Sequence, residues 1–397
     1  MKNRTVLISG LLVVLLLACA GAPEEATPTP AMSEPTPTAA PAAMPTETPA
    51  TTQRRLIYAK GVSEYPNIRG YDVYAVEPHG EPRFLFSVRR TTDTPAGNIF
   101  LLRRSGQMLA RLQGSLVAFD LSTGAQTVLY EAPEGYNIHS QLLRGDEALF
   151  AFTERKQWES HLYQIKVLDL TTGSVTQIFS GNRWEKTQGV IGVPVPWAWY
   201  SDGQSILLRG DTSSGWCCWR GRITVDGSKL EVLDLPNVSL SPDAVYFAST
   251  GLTGDDLGCY IPQHQLLIYD LMTLEKNTLA SDAERVFSSQ VWWSPDSGAL
   301  IFRSYALRPS SRPGCDLEAD WTTAQFFLAD LATGEVTPIA GEDPRIAEWR
   351  TPGGAKGVAI RCDDPNFDVS LCDDATLEIE GRAVDRGGHF AVLGWLP

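Results

Sequence analysis

Positive charge is scarce in this chain. Across 397 residues, 33 Lys and Arg stand against 47 Asp and Glu, a formal net charge of −14. A nucleic-acid binder needs a cationic footprint to neutralise phosphates, so the balance argues against that class. The apolar run Val6 to Leu17 falls short of the roughly 20 residues that cross a bilayer, and a multi-span membrane chain is excluded. Enzyme signatures are missing as well. The sequence has no Gly-x-Ser-x-Gly elbow, no His-Glu-x-x-His, no Gly-x-x-x-x-Gly-Lys phosphate loop and no dinucleotide fingerprint. Its five histidines, His79, His139, His161, His264 and His389, are scattered, and no Cys-x-x-Cys with matching histidines suggests zinc. No cofactor and no metal are expected.

What is present begins with an address. Lys2 and Arg4 precede the apolar run, which ends in Leu16-Leu17-Ala18-Cys19. Positive flank, short apolar core and small residue are the order of a secretory signal. The tetrad resembles the lipobox of bacterial lipoproteins. That resemblance implies a signal peptide over residues 1–18, cleavage before Cys19 and a lipid on its sulfur. The expected location is then the cell envelope, outside the cytoplasm and tethered to the membrane. A plain signal peptide is the competing reading. Residues 19–54 are almost wholly Pro, Thr, Ala, Glu and Ser, with repeats such as Thr27-Pro28-Thr29-Pro30. So little apolar surface does not offset ordering entropy, and proline keeps such a segment extended as a disordered spacer.

Residues 55–397 contain a repeat. Phe119-Asp120-Leu121-Ser122-Thr123-Gly124, Leu168-Asp169-Leu170-Thr171-Thr172-Gly173 and Ala329-Asp330-Leu331-Ala332-Thr333-Gly334 each sit between short alternating apolar runs. Asp that bonds local backbone and Gly that takes positive φ make this a hairpin turn. Weaker copies stand at Glu77-Pro78-His79-Gly80, Val225-Asp226-Gly227, Asp270-Leu271-Met272-Thr273 and Glu378-Ile379-Glu380-Gly381. A second turn type alternates with the first: Trp293-Ser294-Pro295-Asp296-Ser297-Gly298, Leu240-Ser241-Pro242-Asp243 and Tyr200-Ser201-Asp202-Gly203, with a looser relative at Thr351-Pro352-Gly353. Each unit reads as four antiparallel strands, one blade of a β-propeller. The two turn patterns resemble those of the TolB-like, WD-repeat-like propellers, over nearly all of residues 55–397. The expectation is an all-β, seven-bladed propeller, with six blades as the alternative. Phe390 to Pro397 is expected to pair with the opening strand Arg55 to Ala59 and close the ring, as a monomer without open edges.

Alternating strand direction places every connection from second to third strand on one face. Those connections are long: Lys60 to Gly70, Glu154 to His161, Arg209 to Gly221, Thr250 to His264, Arg303 to Thr323 and Arg361 to Asp374. A rigid scaffold usually carries function on such loops, so this face is the candidate. It holds all six cysteines of the body, Cys217, Cys218, Cys259, Cys315, Cys362 and Cys372, an even number that suits disulfides in an exported chain. Cys362–Cys372 within one loop is the favoured pair; the others admit cross-blade links or a vicinal Cys217–Cys218 bridge. Aromatics crowd the same loops: Trp158, Trp216, Trp219, Tyr260, Tyr305, Trp321 and Phe367. They are suited to stack on a sugar or anchor a protein, or else cover small loop cores. Trp197, Trp199, Trp292, Trp293 and Trp349 lie near inner strands and read as packing residues. Acidic pairs such as Asp255-Asp256 and Asp363-Asp364 match no calcium loop.

The function these features favour is a lipid-anchored extracytoplasmic module that binds a protein or glycan through its loop-rich face. The alternative is an envelope enzyme, lyase-like or hydrolase-like, with residues converging at the channel mouth. The TolB-like resemblance also implies a role as a sensor or assembly factor for envelope complexes.

Overall fold

The computed structural model describes residues 54–62, 70–89, 99–112, 114–156, 162–182, 193–211, 220–233, 235, 239–250, 264–311, 317–351, 355–362, 372 and 374–397. The chain divides into two units, Met1–Thr51 and Thr52–Pro397. The second is built from seven antiparallel sheets, numbered here as blades one to seven, and the seven-bladed propeller is the fold.

Blade one shows how the ring shuts. Its order is β27 (Phe390–Leu396), β1 (Arg55–Gly61), β2 (Gly70–Val76), β3 (Arg83–Arg89). The C-terminal strand is innermost and pairs antiparallel with β1, from Arg55↔Leu396 to Lys60↔Phe390. Strand edges at both ends of the repeat are thereby satisfied. Blades two to six follow the chain, each with the innermost strand first. The innermost strands are β4 (Ile99–Leu102), β8 (Tyr136–Leu143), β12 (Val193–Trp199), β16 (Ser239–Leu240) and β20 (Arg285–Trp293). Blade seven departs from the expected four strands. Among the described residues it has three, β24 (Val358–Arg361), β25 (Thr376–Ile379) and β26 (Arg382–Arg386). In the chain position of the inner strand stands a short helix, α1 (Pro344–Arg350). Local chemistry explains the change: Asp343 caps the helix by accepting from Arg345 N, and proline occupies the first turn, where its missing N–H costs nothing.

The period-2 alternation of the second strands distributes the core. Along β1, Leu56 and Tyr58 face blade seven, beside Val358, Ile360 and Leu377. Ile57 and Ala59 face blade two, beside Met108 and Val117. The same division recurs in β13 (Ser205–Asp211), where Ile206 and Leu208 join blade three and Leu207 joins Phe247 of blade five. Each interface between blades is thus a separate apolar layer. Fully burying one such Leu, Ile or Phe is worth about 1.5–3 kcal/mol.

Polar bonds link the blades at the face carrying the short turns. Trp199 Nε1 donates to Leu142 O of blade three at 3.4 Å, and Trp293 Nε1 to Ser239 O of blade five at 3.3 Å. Trp395 ends β27 in the matching position. Blade seven carries α1 in the chain position of the inner strand, and Trp395 Nε1 donates to Lys356 O of the turn instead, at 3.2 Å. Turn-to-turn bonds add to this: Arg104 N to Glu147 Oε2 at 2.9 Å, Arg144 Nη1 to Gly203 O at 3.1 Å and Asp243 N to Ser297 Oγ at 3.1 Å.

Candidate functional site

The face opposite those turns carries the connections from second to third strand. Trp158, Trp216, Trp219, Tyr260 and Phe367 lie outside the described residues, as do Cys217, Cys218, Cys259, Cys315 and Cys19. Two of the cysteines can be placed. Cys362 and Cys372 form a disulfide with Cα atoms 6.1 Å apart, joining the two ends of the blade-seven loop. Cys372 is buried in the apolar layer between blades seven and one, with Ala375 and Leu377.

Blade six holds the two remaining aromatics of the predicted face, Tyr305 and Trp321. The sequence expectation of a long loop from Arg303 to Thr323 is corrected here: most of it is strand. β21 (Ala299–Pro309) and β22 (Leu317–Asp330) form the longest hairpin among the described residues. Alternating residues such as Tyr305, Leu307 and Ala319 find an apolar partner in Val286 of β20, and that contact favours extension of the strands. Tyr305 is consequently not on the surface: it is 4% accessible, whereas Trp321 is 62% accessible. The two rings meet edge to face, with centroids 4.7 Å apart.

A wide bulge sets the position of Trp321. Ser304 pairs with Gln325 and Ala306 with Asp320, so Tyr305 alone opposes Trp321 to Ala324. Bulges re-aim side chains in this way. Asp320 Oδ1 accepts from Thr322 N at 3.1 Å and Thr322 Oγ1 at 2.7 Å. Those bonds hold the Asp320 carboxyl below the usual carboxylate range. Thr323 Oγ1 donates to Asp320 O at 2.7 Å and accepts from Ala306 N at 2.8 Å, while Arg285 Nη2 donates to Thr323 O at 2.9 Å. Behind the bulge runs an alternation of cations and rings. Arg350 of α1 lies 5.3 Å from the Trp292 centroid; Arg303 lies 5.1 Å from Trp292 and 5.9 Å from Tyr305. Arg303 Nη2 also donates to Gln290 Oε1 at 2.8 Å. Blade four repeats the theme, with Trp197 between Arg209 at 5.6 Å and Arg220 at 4.8 Å. Sequence reasoning did not find these arginines, because their spacing from the tryptophans is set by strand pairing.

Other polar clusters are occupied with holding blades together. Glu154, with a side chain 1% accessible, accepts from Tyr130 Oη at 2.7 Å and from Lys166 Nζ at 2.5 Å, between blades two and three. Burial works against the Lys166 charge, but its bonds to Glu154 and Tyr130 outweigh this and raise its pKa. Lys60 and Tyr58 bond Asp385 at 2.8 and 2.9 Å across the closure. Burial first, then the Asp385 charge, pushes the Tyr58 hydroxyl far above its ordinary value. On the short-turn face a cleft of about 490 Å3 is lined by Arg144, Asp146, Tyr200, Asp202 and Asp243. Its acids serve the turns: Asp146 grips Arg144, Asp202 binds Gln204 N and Arg222, and Asp243 binds Ser241 and Val245 N. Among the described residues no three His, Cys, Asp or Glu converge as metal ligands, and no helix is long and apolar enough to cross a membrane.

No family model matches the sequence, and no curated protein is similar to it. Solved structures are similar in fold. One is an oligogalacturonate lyase in complex with manganese, at 13% identity and a TM-score of 0.47, covering 86% of this chain and 91% of that one. A protein described as a putative TolB from Agrobacterium tumefaciens gives 14% identity and a TM-score of 0.37, with 72% of this chain and 88% of that one covered. The β-propeller domain of the Trilobed protease from Pyrococcus furiosus gives 14% and 0.46, with 83% and 91% covered. That domain is described as having an open velcro topology, whereas here β27 pairs with β1. The likeness concerns fold alone, and the seven blades rest on the strand pairings above.

Proposed function

We propose that the chain is a lipid-anchored module of the cell envelope that binds a protein or glycan through its loop-rich face. Cys19 is the lipid attachment point and residues 19–54 the spacer. The reading is carried by one observation: an exposed tryptophan, Trp321, held on the longest hairpin of that face by a buried ring and an ordered bulge. Exposed indole is costly in water and common at binding hot spots. A ring braced at each blade interface, with a disulfide across one loop, loses little ordering entropy when that face binds.

The test is capture from detergent-solubilised envelope, run beside a glycan array, with the full chain and a variant in which Trp216, Trp219 and Trp321 are all changed to Ala. Loss of capture by the folded variant is the expected result. Undiminished capture, or turnover of a captured polysaccharide, would overturn the reading.

A further inference from the structure

We propose that Arg303 is the receptor for one carboxylate, carried by an acidic side chain of a protein partner, at the inner edge of blade six. The place of Arg303 in the repeat is the starting point. Arg111, Thr153 and Arg303 each stand four residues beyond the strand partner of a turn aspartate, Asp120, Asp169 and Asp330 in turn. The first two direct their donors to the next blade. Arg111 Nη1 donates to Ile138 O, and Thr153 Oγ1 to Pro194 O at 3.0 Å, both on innermost strands. The blade after Arg303 carries α1 in that chain position. Arg303 bonds within its own blade instead, to Gln290 Oε1 at 2.8 Å.

A guanidinium offers Nε and Nη2 side by side, a fork that the two oxygens of a carboxylate fill together. This protein fills it that way elsewhere. Arg144 Nε and Nη2 meet Asp146 Oδ1 and Oδ2, both at 2.7 Å, and Arg345 meets Asp343 at 2.9 and 2.6 Å. At Arg303 a single amide oxygen stands in the fork. Nη2 is bonded, whereas Nε is buried with no hydrogen-bond partner, and Arg303 pairs with no carboxylate among the described residues. A buried donor without an acceptor is costly, and a second oxygen that reaches it removes the penalty.

The present occupant can leave. Gln290 is exposed, on a bulge of residues 288–290 that opposes Arg303 alone, between the pairs Phe287↔Ser304 and Val291↔Phe302. The guanidinium stands over the rings of Trp292 and Tyr305, at 5.1 and 5.9 Å, and Arg350 brings a second positive charge to Trp292. The fork edge is therefore the side on which a ligand can bond. A carboxylate on a slim methylene stem, as in Asp or Glu, reaches a recessed Nε. The carboxylate of a uronic acid is joined directly to its ring, which would have to enter the same recess.

The experiment follows the Arg Nε–Hε resonances of the full chain by NMR, at fixed ionic strength, during titration with blocked triglutamate. The Arg303 signal is identified by its loss in Arg303→Lys. Blocked triglutamine, trigalacturonate and inorganic phosphate are the comparison probes. Triglutamate is expected to move the Arg303 signal downfield until it saturates, and triglutamine to leave it in place. Gln290→Glu puts a carboxylate into the fork from within and should weaken triglutamate binding at least about tenfold. Gln290→Ala only clears the fork and should bind at least as tightly as the parent. Both changes are at an exposed position, and each variant is first shown to melt cooperatively. No movement with triglutamate at millimolar concentration, undiminished binding by Gln290→Glu, or tighter binding of trigalacturonate or phosphate would each overturn the proposal. The loop-face reading is judged by the tryptophan variant in envelope capture, so either can fail while the other stands.

Discussion

Leu274 occupies a place that glycine fills elsewhere. In three hairpin turns Gly124, Gly173 and Gly334 take φ of 71°, 73° and 71°, and Leu274 in the fourth takes 60°. All four donate N–H to the aspartate four residues back, at 2.8–2.9 Å. Left-handed backbone costs an L-residue about 1–2 kcal/mol, offset by the roughly 0.5–1 kcal/mol of extra chain entropy that glycine brings to the unfolded state. Leu274→Gly is therefore expected to stabilise the protein by about 0.5–1 kcal/mol, read as a rise in the urea midpoint; a fall would contradict the assignment. The aspartates of the turns make a second point. Side-chain and backbone bonds from Ser122 and Thr123 pull Asp120 down to about 2, and bonds from Thr224 and Ser228 do the same for Asp226. A folded-state pKa below the unfolded value near 3.9 stabilises at higher pH, and this contribution is lost as pH falls from about 4 toward 2. Asp120→Asn should flatten that acid limb of the thermal stability profile. An unchanged slope would show that the turn does not hold its carboxylate as described.

At the scale of elements, the turns were legible in the sequence and the outer parts of the strands were not. Asp-x-x-Thr-Gly and Ser-Pro-Asp patterns mark turns because local bonds alone decide them. The β21–β22 hairpin depends instead on Val286, distant in sequence from Tyr305 and Ala319, so a stretch that reads as loop becomes strand. The helix α1 was hidden for a different reason: Asp343-Pro344 is a good helix start, but the repeat argued for a strand there. Of the five tryptophans read as packing residues near inner strands, Trp199, Trp292 and Trp293 are buried, whereas Trp197 and Trp349 are half-buried and Trp349 lies on α1. The indole N–H bonds of Trp199 and Trp293 to the preceding blade are an addition. Trp293→Phe removes the donor to Ser239 O and part of the ring volume, with an expected cost of about 2 kcal/mol by chemical denaturation. A loss below a few tenths would mean that the bond contributes nothing net. Breaking the Cys362–Cys372 bridge by a double Ser substitution should cost about 2–3 kcal/mol on the loop-closure argument, measured the same way.

At the scale of the molecule, the loop-rich face exists only because the ring is shut. Ring closure was readable from the repeat itself: Arg55 to Ala59 matches the second strand of the unit, and Trp395-Leu396-Pro397 stands where Trp293-Ser294-Pro295 stands in its own unit. The arginines beside the tryptophans, and the burial of Tyr305 beneath Trp321, needed coordinates, since pairing register rather than local sequence brings them together.

Residues 389–397 supply the strand that joins blade seven to blade one, burying Phe390, Val392 and Leu396. The most direct measurement is the thermal melt of the full chain against one ending at Gly388. Losing three buried apolar side chains and a ladder of backbone bonds should lower the midpoint by at least about 10 °C and expose β1 to association. A shortened chain that melts cooperatively at the parent's temperature and stays monomeric would contradict the closed ring, and with it the rigid face on which the proposed binding depends.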